Sequence, residues 1–285
     1  MAPTSILELL DEQRSAGLHD GAQLYISHRG NVLVDAAIGE RIPSEPLRTD
    51  DLMLWYSSSK PVTSVAILQL WERGRLGLDD PIAAFIDGWA GGKERCTVRH
   101  VLTHTGGFTM HDCEPFDDDL TYAEVIARIA RHPAEHPPAT QAAYHATTGW
   151  KVLGAIVEAV DGRRVDRYVS EEIFEPLGMR SCRMGIPLEE QAELADRIAP
   201  VVWKGHAVPR LADGGLQMVE YRVDAVHNEP WHIAKVEPAA GVRGPARELG
   251  RFYESLVGFG TPVLEQRTVE VMIAAHRVGM PDRTY

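Results

Sequence analysis

The apolar positions along the chain fall into blocks with helical spacing, separated by glycine and proline. Residues 4–16 predict an amphipathic helix with Thr4 or Ser5 as N-cap, Glu8 in the first turn and Gly17 at its end. Residues 22–28 and 31–38 are strand-like and meet around Arg29-Gly30-Asn31, which predicts a β-hairpin. A helix follows whose Val62, Ala66, Gln69 and Leu70 lie at helical spacing, and whose Val65, Ile67, Leu68 and Trp71 make it apolar almost all round. Such a helix belongs inside a domain rather than on its surface. Gly74 and Gly77 end it. Further helices are expected at 97–104, 121–131, 149–160 (capped by Thr147 or Thr148), 164–175, 246–257 and 263–275. Between 186 and 236 the pattern loosens into turns at Pro209, Asp213-Gly214-Gly215 and Pro230, with short strands such as 216–223.

The buried helix opens on a conspicuous pair. Ser57 and Lys60 stand three apart, so they share a helix face and the ammonium can reach the hydroxyl. Pro61 sits in the first turn, where its missing N–H costs nothing. A lysine at the entrance of a buried helix is costly to place, and activation of a serine nucleophile accounts for it. The bland alternative is an N-cap serine beside a lysine that stretches its head into water.

Composition narrows the classes. The 285 residues carry a formal net charge of −12, and no basic stripe is interleaved with aromatics, which speaks against nucleic acid or an anionic membrane as partner. No apolar run approaches the ~18 residues needed to span a bilayer, and the first residues lack a basic segment followed by an apolar one. A cytoplasmic enzyme is therefore expected. Cys96, Cys113 and Cys182 are odd in number and scattered, against a disulfide framework. His100 and His104 are spaced for one helix face but lack the intervening carboxylate of a zinc-protease frame. Asp117-Asp-Asp, in an acidic stretch at 111–119, lacks the glycine and distant Glu of a calcium loop. His132, Glu135 and His136, among prolines, are expected in a solvated loop. Neither a metal nor another cofactor is expected.

Four ordered segments resemble the serine β-lactamase and penicillin-binding-protein superfamily, most nearly the class C-like family VIII carboxylesterases. They are Trp55-Tyr-Ser-Ser-Ser-Lys-Pro-Val-Thr63, Val101-Leu-Thr-His-Thr-Gly-Gly-Phe108, Tyr144-His-Ala-Thr-Thr-Gly-Trp-Lys-Val-Leu-Gly154 and Pro238-Ala-Ala-Gly-Val-Arg-Gly-Pro-Ala-Arg-Glu-Leu-Gly-Arg-Phe-Tyr253. The resemblance implies an α/β (α+β) fold: an antiparallel sheet flanked by helices, formed by 1–85 and 236–285, with a mostly helical domain, 86–235, inserted in it. The site lies between the two. By motif, Ser57 is the acylated nucleophile, Lys60 its activating partner and Tyr144 the third catalytic group. Tyr56, His145 and Trp150 are expected near the substrate.

Elementary chemistry is consistent with those roles. Free lysine and tyrosine titrate near ~10, so neither is a ready base at pH 7; burial and a neighbouring cation change that. A Lys–Tyr pair can hold one proton and accept another from serine, as a coupled unit. The Ser57 backbone N–H, at a helix N-terminus, is the expected oxyanion donor.

Two features depart from the family pattern. Ala146 replaces the asparagine of the Y-x-N element, which shifts the expectation from lactams to small, short-chain carboxylic esters. The family's K-T-G or H/W-x-G strand, source of a second oxyanion N–H, has no counterpart at its place; His104-Thr-Gly106 and Trp203-Lys-Gly205 match only by letters and come too early. Strands beyond Tyr285, or from a second polypeptide, are expected to complete the sheet. The same acyl-enzyme would serve a β-lactamase, a D-amino peptidase or an acyltransferase, and a non-catalytic binding or scaffold protein on this fold is the reading from another class.

Overall fold

A computed structural model describes residues 5–109, 120–202, 207–209, 216–218 and 225–284. The acidic stretch at 111–119 with Cys113, the Trp203-Lys-Gly205 triplet and the turn at 213–215 lie outside them, as do residues 219–223 of the strand expected at 216–223.

In chain order, α1 (Ile6–Ser15) leads to the hairpin strands β1 (Gly21–His28) and β2 (Asn31–Ile42), then to short β3 (Glu45–Pro46) and β4 (Met53–Leu54). Helices α2 (Lys60–Glu72), α3 (Val98–Leu102), α4 (Tyr122–Arg131), α5 (Thr148–Asp161) and α6 (Val165–Val169) follow. After β5 (Arg183–Met184) come α7 (Leu188–Leu194), β6 (Ala207–Pro209), β7 (Leu216–Met218), α8 (Ala225–Asn228) and α9 (Pro230–Ala234). Then β8 (Val242–Gly244), α10 (Ala246–Leu256) and α11 (Gln266–Ile273) complete the described elements. The expected mixture of antiparallel sheets and helices is what the chain forms.

The chain divides into two compact units. One comprises Met1–Leu54, Ser181–Lys235 and Arg243–Phe252; the other comprises Trp55–Arg180, Val236–Val242 and Tyr253–Tyr285. The cut therefore falls at 54/55 rather than 85/86, and 181–235 groups with the N-terminal hairpin. Two- and three-residue strands cause this: β4 pairs antiparallel with β8, and β8 lies between β4 and β5 in one sheet.

In the first unit, Ser5 caps α1 and Glu8 reaches back to the Ser5 N–H, the reciprocal pair that satisfies two otherwise unpaired donors. β1 and β2 pair antiparallel from Gly21↔Gly39 to His28↔Asn31, and β3 extends that sheet beside β2. Gly250 of α10 packs over Tyr25; a Cβ there would stand 2.2 Å from the ring.

In the second unit, α2 is the centre. Its residues from Val62 to Leu70 are all buried, and it packs against α5 and α6. Gly162, at φ 89°, ends α5 where a side chain would be strained. Lys93 is fully buried, its ammonium donating to the carbonyls of Ala90 (2.7 Å), Ala130 (3.0 Å) and His132. The loop expected to be solvated at 132–136 is only partly so. His136 is buried, because its carbonyl lies where a Gly107 side chain would stand and Gly107, at φ 85°, lets the two backbones meet.

Candidate active site

Every group of the site belongs to the second unit. Ser57 sits in a single tight turn, Tyr56–Ser59, that runs straight into α2, so its hydroxyl is exposed at the N-terminal end of a buried helix. Tyr56, just before it, adopts φ 47°, a left-handed conformation rare for a bulky residue. The turn is pinned from behind. The Trp55 N–H donates to the Val242 carbonyl (2.9 Å), and the Val242 N–H donates to Ser59 Oγ (3.1 Å).

Two side chains converge on Ser57 Oγ. Lys60 Nζ donates to it at 3.1 Å and Tyr144 Oη donates to it at 2.7 Å. Lys60 Nζ also donates to the carbonyls of Ala146 (2.6 Å) and Ala239 (3.3 Å), so three acceptors face its three N–H bonds. The ammonium lies 5.0 Å from the centre of the Tyr144 ring and 5.5 Å from that of Trp150, both favourable to a cation. Trp150 Nε1 and Ser64 Oγ donate to the Lys60 carbonyl (2.8 and 3.0 Å), tying the first turn of α2 to α5.

His104 organises the wall behind Tyr144. It follows α3 at φ 57°, and its ring centre lies 4.7 Å from those of both Tyr144 and Trp150. Its Nδ1 accepts from the His145 N–H at 3.0 Å, which leaves any ring proton on Nε2. Burial, then the Lys60 and Arg277 cations, hold its pKa down to about 4, so it adds no positive charge at neutral pH. His145 is held well below the ordinary imidazole range, chiefly by complete burial.

Of the six residues singled out in the sequence, Ser57, Lys60, Tyr144 and Trp150 line one cavity of about 380 Å³. Leu68, Leu78, Leu102, Val271 and Met272 give that cavity an apolar wall. His145 stands behind the wall instead: it is fully exclosed from solvent, stacks on Phe108 (4.6 Å), and fills space left by Gly106 and Gly149, where a Cβ would approach its ring to 3.1 and 2.6 Å. Tyr56 is half-buried and is not among the residues lining the cavity. Sequence reasoning missed the carbonyls of Ala146 and Ala239, since a backbone acceptor leaves no residue-type signal. It also missed Glu237, which directly precedes the fourth segment, and its partner Lys151 inside the third. Their side chains pair at 2.7 Å.

Residues 8–283 match the family described as Beta-lactamase. Esterase EstB of Burkholderia gladioli is 30% identical over 183 residues, covering 57% of this chain and 46% of EstB. Esterase/beta-lactamase LipL of Mycobacterium tuberculosis is 28% identical over 284 residues, covering 92% of this chain and 65% of LipL. The chain thus spans less than two thirds of either relative. A solved family VIII carboxylesterase superposes with a TM-score of 0.73 at 20% identity, over 92% of this chain and 72% of that one, which is a likeness of fold.

Proposed function

Because the chain belongs to the β-lactamase family, we propose that it is a serine hydrolase that cleaves small, short-chain carboxylic esters through an acyl-enzyme. One observation carries the reading: Ser57 Oγ receives hydrogen bonds from both Lys60 Nζ and Tyr144 Oη. Once the Lys60–Tyr144 pair has released one proton to solvent, Ser57 attacks the ester carbonyl and the pair takes the serine's proton in its place. The pair returns that proton to the departing alkoxide, and water then repeats the sequence to release the acid. The N-terminal end of α2 favours the negative charge that develops on the carbonyl oxygen, with the Ser57 N–H as one donor. Trp150 and the apolar cavity wall suit an uncharged acyl group.

Ala146 offers no side-chain amide to a lactam, and its carbonyl is engaged by Lys60; ester is therefore preferred over β-lactam or D-amino peptide. Among the described residues the outer side of β1 pairs with no strand, and we assign that edge to further strands of the same or a second polypeptide. A panel of p-nitrophenyl esters run beside a chromogenic cephalosporin tests the substrate class. Ester turnover that disappears in Ser57→Ala is expected. Faster cephalosporin than ester turnover would replace esterase by lactamase, and turnover that survives Ser57→Ala would remove the nucleophile.

A further inference from the structure

Lys151 and Glu237 form an ion pair that touches no reacting atom. Nζ and Oε2 are 2.7 Å apart, and the side chains are only 8% and 14% exposed. Buried pairs of this kind contribute little to stability relative to well-packed apolar residues, because both charges give up hydration. Their positions in the chain give this pair another use.

Lys151 stands near the start of α5, shortly after Ala146, whose carbonyl accepts from Lys60. Glu237 opens a tight turn. Its Oε1 accepts from the Ala239 N–H (3.1 Å), and its backbone carbonyl accepts from the N–H groups of Ala240 (3.2 Å) and Gly241 (2.8 Å). The Ala239 carbonyl inside that turn is the other backbone acceptor of Lys60. Beside it, the Pro238 carbonyl accepts from Thr63 Oγ1 at 2.8 Å. The pair therefore joins the two backbone segments that hold Lys60. Close packing continues along α5: a Cβ on Gly154 would stand 2.7 Å from Pro238 Cγ and 2.6 Å from Tyr122 Oη, and that hydroxyl donates to the Lys151 carbonyl at 2.6 Å.

We propose that the Lys151–Glu237 pair is a positioning device that sets the Ala146 and Ala239 carbonyls around Lys60, and so fixes the pH at which Ser57 becomes reactive. This rests on the reading of Lys60 as the activating partner. Among the described residues, the titratable groups set against Lys60 are Tyr144, over whose ring it lies, and His104 and His145, both kept neutral by burial, while Arg99 and His276 line the same cavity.

The test follows Ser57 labelling by a fluorophosphonate, by intact mass, as a function of pH in the 285-residue chain. Either Lys151→Met or Glu237→Gln loosens a carbonyl that stabilises the Lys60 ammonium. Both are expected to move the labelling midpoint to lower pH, by roughly 0.5 to 1, and to slow labelling at the plateau about three- to tenfold. Glu237→Asp, which keeps the charge and shortens the reach, moves the midpoint the same way by less and guards against variants that fail to fold. A through-space charge effect would shift the two single variants in opposite directions and leave Glu237→Asp in place, which overturns the proposal. So does a midpoint unchanged while only thermal stability falls. Absence of labelling in the unaltered chain at every pH overturns the hydrolase reading itself, and is thereby distinct from failure of the positioning role.

Discussion

Replacing Tyr144 by phenylalanine removes one hydroxyl and keeps the ring that packs 4.7 Å from His104 and lies 5.0 Å from the Lys60 ammonium. The hydroxyl lost is the one at 2.7 Å from Ser57 Oγ. If Tyr144 shares the proton taken from the serine, the loss falls on the transition state. A positioned acid–base group contributes about 10²- to 10⁴-fold, or about 3–5 kcal/mol of barrier at 1.36 kcal/mol per tenfold. The ground state loses one exposed hydrogen bond, about 1 kcal/mol or less, so the melting temperature should fall by no more than about 2–4 °C. The assay is p-nitrophenyl acetate hydrolysis at pH 7 beside a circular-dichroism melt. The expected result is a large fall in kcat with KM little changed, as for an interaction made chiefly in the transition state. A kcat/KM within threefold of the parent in a folded Tyr144→Phe protein would refute the assignment.

Three further outcomes follow from the structure. His104 takes up a proton only near pH 4 when folded and near ~6.5 when unfolded, so the unfolded chain binds more protons between these values. Its stabilising contribution is complete above ~6.5 and should fall by about 2 kcal/mol by pH 5, read from urea midpoints; a flat profile over that window would contradict the burial argument. Lys93→Met removes a fully buried ammonium and strands three carbonyls, so stability should drop by about 3 kcal/mol while ester turnover per folded molecule is unchanged; an equal or higher melting temperature would count against it. Gly250→Ala places a Cβ 2.2 Å from the Tyr25 ring and should cost about 1–3 kcal/mol through overpacking. An unchanged unfolding midpoint would mean that α10 does not press on β1.

Features set by neighbouring residues were legible before the structure. The Ser5/Glu8 cap, the hairpin at Arg29-Gly30 and the all-round apolar α2 each depend on a few adjacent side chains, and each forms as expected. Ser57 and Lys60 were legible for the same reason, being three apart on one turn. Tyr144 came through resemblance, since nothing local brings it to a serine 87 residues away. What stayed hidden depends on distant backbone. The two carbonyls that hold Lys60 belong to alanines, and Glu237 and Lys151 become partners only after folding. β4, β5 and β8, at two or three residues each, are too short for any periodicity, so their shared sheet could not be foreseen. His145 carried a polar name at a motif position, yet the glycines at 106 and 149 make room for its ring in the core.

The central claim is that Ser57 is a nucleophile activated by Lys60 and Tyr144. It is tested most directly by intact-mass spectrometry of the folded chain after treatment with a fluorophosphonate, with Ser57→Ala as control. The account predicts one adduct per chain, located on Ser57 by peptide mapping and absent from the control. No adduct on the folded protein, or an adduct that persists in Ser57→Ala, would contradict it.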